Sequence, residues 1–158
     1  MDLTLKWNEV IENPFFFYVP FKVELNKFGQ ILMSPASNKH GMLQFKVGKN
    51  IAAKKKNGEI ILECSILTSE GVKVADVAWA SDDFLAEFGE QTPYPKAPEI
   101  CVEVKSPANS KAEMEEKIRL YLEKVALEVW IVSLSGKVTF FTHTGQIEAS
   151  KFVKGFQL

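Results

Sequence analysis

Residues 98–132, PEICVEVKSPANSKAEMEEKIRLYLEKVALEVWIV, decide the fold. The run Ile100–Val104 is short and apolar, which predicts a strand buried on at least one side. Ser110 and Glu113 stand in the S-x-x-E arrangement of a helix capping box. Met114, Ile118, Tyr121, Leu122 and Val125 then recur at helical spacing, and a second strand starts at Glu128. Strand, helix, strand in that order makes a helical crossover. Upstream, EIILECSIL (59–67) and VKVADVAWA (72–80) flank Ser69-Glu70-Gly71 and predict a β-hairpin. Downstream, Lys137–Phe141 returns across Ser135-Gly136 to pair with the strand from Glu128. The expected fold is an α/β sandwich on a mixed sheet, antiparallel first and then continued by the crossover.

The remaining chain adds to this frame. Leu3, Trp7, Val10 and Ile11 predict an N-terminal helix, ended by Asn13-Pro14. FFFYVPFKVELNKFGQILMSP (15–35) reads as extended segments around a turn at Asn26–Gly29. Its aromatic run Phe15–Tyr18 is expected in a core or a dimer interface. Ser37 or Asn38 caps a helix to about Ala53 whose Leu43, Val47 and Ile51 recur every four residues, and Lys54–Lys56 suits its C-terminal dipole. The stretch Ser81–Pro98 reads as a loop with a short helical piece. A length of 158 residues argues for one domain. Its expected parts are an N-terminal helix and strand extension (1–36), a core (37–142) and a C-terminal tail (143–158).

Composition excludes several classes. With 46% hydrophobic and 25% charged residues, the chain is neither disordered nor a disulfide miniprotein. A net charge of −1 excludes a strongly basic nucleic-acid coat, and Arg119 is the sole arginine, so bidentate reading of bases is nearly absent. Any nucleic acid is therefore expected to meet lysine point charges on its phosphates. Cys64 and Cys101 lie in apolar runs and read as reduced, buried thiols. No run approaches the ~18–20 apolar residues of a membrane span, so no membrane partner and a cytoplasmic location are expected.

Chemistry enters where charge interrupts apolar strands. Asp76 breaks the run Val72–Ala80, and Glu103 and Lys105 break the run from Ile100. Ionised groups in buried strands are costly unless paired or bound to metal. A period of two puts Glu103 and Lys105 on one face, with Val102 and Val104 on the other. Asp76, from a strand that can lie alongside, completes an Asp, Glu, Lys set suited to a hard cation such as Mg²⁺. Two carboxylates held close repel without a metal, so neutralising Glu103 is expected to leave the metal-free fold as stable or more stable.

The D…E-x-K spacing, the flanking VADVAWAS (74–81) and residues 98–133, together with FKVELNKFGQILMSPASNKHG (21–41), resemble the Uma2 family of restriction-endonuclease-like proteins. That family belongs to the PD-(D/E)XK nuclease superfamily. The resemblance implies a mixed central sheet flanked by helices, with metal-dependent hydrolysis of DNA phosphodiesters. It implies that Asp76 and Glu103 hold Mg²⁺ or Mn²⁺, with the Val104 carbonyl and Glu24 as further ligands. Lys105 takes the E-x-K position and positions the attacking water. Lys117 and Tyr121, four apart on one helix face, resemble the Q-x-x-x-Y element of related nucleases, and His40 is implied as a cleft-lining residue. A homodimer is expected, because cutting two strands takes two sites. The alternative is a non-catalytic DNA-binding or assembly module that keeps the nuclease fold. A structural oligomer built on Phe15–Tyr18 is a third reading.

Overall fold

A computed structural model describes all 158 residues, Met1–Leu158. Helix α1 (Leu3–Glu12) starts at Asp2, whose carboxylate accepts from the Thr4 and Leu5 N–H groups. It buries Trp7 and Val10 and stops before Pro14, as expected. The aromatic run does not extend as a strand: Pro14–Phe16 form a 3₁₀ turn capped by the Asn13 side chain. Phe15, Phe17 and Tyr18 stay exposed, and only Phe16 packs inward, beside Trp7 and Leu25. Proline at the first helical position favours that turn, which the apolar composition alone does not reveal.

Strands β1 (Phe21–Leu25) and β2 (Ile31–Pro35) form a separate antiparallel hairpin. Helix α2 (Asn38–Lys54) follows, capped by the Ser37 hydroxyl, which accepts from the His40 N–H at 3.1 Å. Leu43, Val47 and Ile51 are its buried stripe. Gly48 packs close to the sheet: a Cβ there would lie 3.1 Å from Ile60 Cγ2 on β3 (Glu59–Thr68), so that side chain would have to give by a few tenths of an ångström.

From β3 the chain turns into β4 (Gly71–Ala80), then the short helix α3 (Asp82–Phe88) and β5 (Ile100–Val104). Helix α4 (Lys111–Glu123) crosses over to β6 (Glu128–Val132). Both halves of its capping box form: the Glu113 N–H donates to Ser110 Oγ at 3.1 Å, and the Ser110 N–H to Glu113 Oε2 at 2.6 Å. Strand β7 (Val138–Thr142) completes the expected pairing. The C-terminal residues are more than a tail. They add edge strand β8 (Gly145–Ile147) and bring Val153 and Phe156 into the core against Trp130. A three-residue strand that begins with Gly-Gln carries almost no periodic signal.

The sheet order is β3-β4-β5-β6-β7-β8, antiparallel throughout except for the parallel β5–β6 pair joined by α4. One core, with Leu43, Val77, Val102 and Trp130, lies under α2; the other, with Ala78, Cys101, Tyr121 and Val129, lies under α3 and α4. Both cysteines are buried and free. No helix is long and apolar enough to cross a membrane.

Two irregularities set up the cleft. The β3–β4 register passes from Leu62↔Val77 to Cys64↔Ala75 without a Glu63–Asp76 pair, and Glu63 has φ 54°. Side-chain parity shifts across this kink, since Ala75 and Ala78, three apart, face the same core. The β4–β5 ladder ends at Val77↔Val102. There the Asp76 carboxylate takes over, and Oδ2 accepts the Val104 N–H at 2.7 Å.

Candidate metal and phosphate cleft

Beyond the last β4–β5 pair lies a cleft of about 680 Å³, walled by the β1–β2 hairpin, the start of α2, β4, β5 and α4. Asp76 and Glu103 are nearly inaccessible, at 1% and 2% exposure. The sheet that brings them together also desolvates them, so each needs compensation. Both find it in cations. Lys22 Nζ lies 2.9 Å from Asp76 Oδ1 and 3.1 Å from Glu103 Oε2. Lys117 Nζ lies 3.1 Å from Glu103 Oε1 and 2.8 Å from Glu24 Oε1. The Tyr121 hydroxyl donates to Glu103 Oε1 at 2.6 Å, His40 Nε2 meets Asp76 Oδ2 at 3.2 Å, and the Val74 N–H donates to Glu24 Oε1 at 2.7 Å.

This network splits the carboxylates. Burial pushes Asp76 up, but the Lys22 ammonium and the His40 and Val104 hydrogen bonds outweigh it and hold its carboxyl well below the usual range. Burial also pushes Glu24 up, and Lys117 with Lys22 reverses the sign. At Glu103 burial prevails over the same two lysines, so its carboxyl titrates above its ordinary value. The hydrogen bond to Asp76 raises His40, and burial with the adjacent Glu103 raises the Tyr121 phenol.

The structure thus brings together Asp76, Glu103, Glu24, Lys117, Tyr121 and His40, with the Val104 backbone alongside. It does not bring Lys105. Strand β5 ends at Val104, and the Lys105 N–H continues the β5–β6 ladder to Val132 O at 2.8 Å. Beyond it Ser106 and Asn109, not Lys105, line the cleft. The alternation that puts Glu103 and Lys105 on one face is secure only within the strand, which ends at Val104, with a turn following at Pro107 and Ala108. Sequence reasoning missed Lys22, Lys73, Glu63 and Gln44. Lys22 sits two residues before the recognised Glu24, and period two would have placed both on one face. Lys73 is buried within β4, lines the cleft and pairs with no carboxylate. Glu63, also in the wall, accepts from Gln44 Nε2 at 2.6 Å, and the same amide group donates to the Asp76 carbonyl at 2.7 Å.

Asp76 Oδ1 and Glu103 Oε2 converge on one cation, the Lys22 ammonium. Hard oxygens aimed at a single positive centre suit Mg²⁺ or Mn²⁺, which take one or two carboxylates and complete the shell with water and substrate oxygens. The fit stops at these two groups. Glu24 Oε1 is taken by Lys117 and the Val74 N–H, and no group of three His, Cys, Asp or Glu side chains forms a ready-made metal cluster.

Comparison with known proteins agrees with the fold. The sequence profile of the Uma2 family, described as "Putative restriction endonuclease", matches residues 16–155. A solved structure described as "a putative nuclease belonging to DUF820 from Anabaena variabilis ATCC 29413" superposes with a TM-score of 0.68 at 17% identity, over 86% of each chain. No curated protein matches. With a mixed sheet of the restriction-endonuclease-like type and a family match across nearly all its length, the chain belongs to the Uma2 family of restriction-endonuclease-like proteins.

Proposed function

We propose that this protein is a divalent-metal-dependent nuclease hydrolysing DNA phosphodiester bonds. One observation carries the reading: oxygens of Asp76 and Glu103, from neighbouring strands, meet at a single cation inside an open cleft. Asp76 and Glu103 would hold the metal, whose Lewis acidity supplies charge neutralisation at phosphate. Tyr121 and Lys117 fix the Glu103 rotamer by two bonds to Oε1. Val104 keeps its N–H on Asp76, and His40 orients the same carboxylate. Glu24 serves as the counter-ion of Lys117 and not as a ligand. Lys73, unpaired and facing the cleft, is left to meet a phosphate oxygen as a point charge. The exposed Phe15, Phe17 and Tyr18 support a homodimer interface, and the two reduced thiols suit the cytoplasm.

Nicking of supercoiled plasmid and cleavage of single-stranded DNA and RNA, each with Mg²⁺ or Mn²⁺, test the reading. Activity lost in Asp76→Asn and Glu103→Gln is expected; metal-independent activity, or none on any substrate, refutes it. RNA cleavage without DNA cleavage would correct the substrate. A monomer in sedimentation at roughly tens of micromolar, a range set by common interface affinities, counts against the dimer.

A non-catalytic module with the nuclease fold is the second reading. It is favoured by the pairing of the three buried carboxylates of the cleft, Glu24, Asp76 and Glu103, with lysines, since a closed ion network needs no metal. Such a protein would bind neither Mg²⁺ nor Mn²⁺ at millimolar concentration.

A further inference from the structure

We propose that the lysine this site uses is Lys22, carried in on the β1–β2 hairpin, and not Lys105 of the E-x-K spacing. This inference rests on the nuclease reading above. A lysine serving the chemistry must reach the point where the two carboxylates meet. Lys22 does: its ammonium bridges Asp76 Oδ1 and Glu103 Oε2 at 2.9 and 3.1 Å, and its side chain is only 13% exposed. Lys117 touches Glu103 but turns its other contact to Glu24, and Lys105 is absent from the cleft wall.

The position of Lys22 is fixed by packing rather than by chance at the surface. Leu25 is fully buried against Val72 and Val74, with Val23 beside it. The strand period that turns Val23 and Leu25 inward turns Lys22 and Glu24 to the cleft. The Lys22 Nζ donates to both Asp76 Oδ1 and Glu103 Oε2, so the geometry places it as a cation and hydrogen-bond donor at the point where the two carboxylates meet. In phosphodiester hydrolysis the water oxygen bonds to phosphorus, and the bond from phosphorus to the leaving sugar oxygen breaks. The water's proton passes to solvent, and the leaving oxygen takes one back. A fixed ammonium beside that phosphorus offsets the extra negative charge on the phosphate oxygens without a net proton transfer.

The same geometry has a second consequence. Lys22 and a divalent cation call on the same two oxygens, so they compete. Removing the Lys22 charge should therefore tighten metal binding while slowing the reaction, whereas a merely structural loss at this site would loosen the metal.

The test uses the full chain with Lys22→Met, Lys22→Arg and Lys105→Met. Free Mn²⁺ is titrated by electron paramagnetic resonance without nucleic acid, and single-turnover cleavage is measured on whichever substrate the wild type cuts. Lys22→Met is expected to bind Mn²⁺ about tenfold more tightly, as one like charge fewer at contact distance implies, and to cleave at least ~10²-fold more slowly, as loss of one preorganised charge-stabilising donor implies. Lys22→Arg should restore part of both properties, and Lys105→Met should match the wild type in both. Full turnover in Lys22→Met, weaker Mn²⁺ binding in that variant, or a lost rate in Lys105→Met overturns the assignment and leaves the nuclease reading standing. A wild type that cuts neither DNA nor RNA overturns the nuclease reading itself, and the catalytic part of this inference with it.

Discussion

Asp76→Asn in the metal-free protein is the sharpest probe of how the cleft is built. Two close carboxylates without metal suggest repulsion, and on that view neutralising one should stabilise. The structure places cations between them, which reverses the sign. Asp76 accepts from Lys22 on Oδ1 and from Val104 N–H and His40 on Oδ2. Asparagine has one acceptor oxygen. Whichever way the amide is turned, its NH₂ confronts a donor, either the Lys22 ammonium or the Val104 N–H. Removing one partner of a buried ion pair costs about 3–5 kcal/mol. Lys22 keeps Glu103, so the lower end, roughly 3 kcal/mol, applies. At roughly 2–4 °C per kcal/mol for a chain of this size, the melting temperature should fall by about 6–12 °C at pH 7. Because the folded carboxyl sits below its unfolded value, this contribution is complete above the unfolded pKa of about 3.9 and is lost only as pH falls through the lower folded pKa. The carboxylate's own share of the gap should thus hold from pH 7 to pH 5, while the lost pairing with His40, whose pKa Asp76 raises, makes the total gap no smaller at pH 5 than at pH 7. Thermal and urea melts in chelator decide it. A variant within about 2 °C of the wild type, or above it, refutes the argument that the lysines hold this carboxylate.

Glu103→Gln should also destabilise, but less than Asp76→Asn, because burial already favours the protonated form at Glu103; the opposite order in the same melts contradicts that. Tyr121→Phe keeps the buried ring and removes one donor to a carboxylate, so a loss of about 1.5–3 kcal/mol in urea melts is expected, with Mn²⁺ affinity held by the remaining Lys117 contact. Glu63 has φ 54°, a conformation that costs an L-residue roughly 1–2 kcal/mol, so Glu63→Gly should melt no lower than wild type while Glu63→Val melts clearly lower. His40 is raised by Asp76, so its contribution is full below its unfolded pKa of about 6.5 and fades as pH rises through the higher folded value. His40→Gln should therefore cost more stability at pH 6 than at pH 9, and an equal cost at both would contradict the pairing.

How far the sequence could be read depended on the range of the interaction. The caps at Ser37 and Ser110, the stripe Leu43, Val47 and Ile51, and the crossover through α4 are local patterns, and all are present. Asp76 and Glu103 stood out because charge in an apolar strand is anomalous whatever lies opposite. Lys22 did not stand out: in Phe21–Leu25 a lysine alternating with apolar residues looks like any solvent-facing position. Its partners are 54 and 81 residues away, and only the hairpin's packing brings them into reach. Lys105 lies outside the cleft wall for the complementary reason, since parity argues only as far as the strand runs. Glu24 was found in sequence, but its pairing with Lys117 across 93 residues was not.

The network is a poor investment if stability were its only result. Buried ion pairs are often no better than well-packed apolar residues of the same volume, because desolvation cancels the attraction. This fold has apolar cores under α2 and under α3 and α4, built from Val77, Val102, Trp130 and their neighbours on one side and Cys64, Cys101 and Val129 on the other. Yet between them the sheet opens after Val77↔Val102, replaces a ladder bond by a carboxylate, and strains the backbone at Glu63 beside it. Within the ion network three carboxylates meet the Lys22 and Lys117 ammoniums, with His40 a further partner of Asp76. Each departure from ordinary packing points into the same cleft. Perturbed titrations and backbone strain coincide at this open cavity, as the proposed metal site would require. The coincidence is strongest at Asp76, which ends the ladder, anchors the hairpin through Lys22 and faces the strained residue of the neighbouring strand.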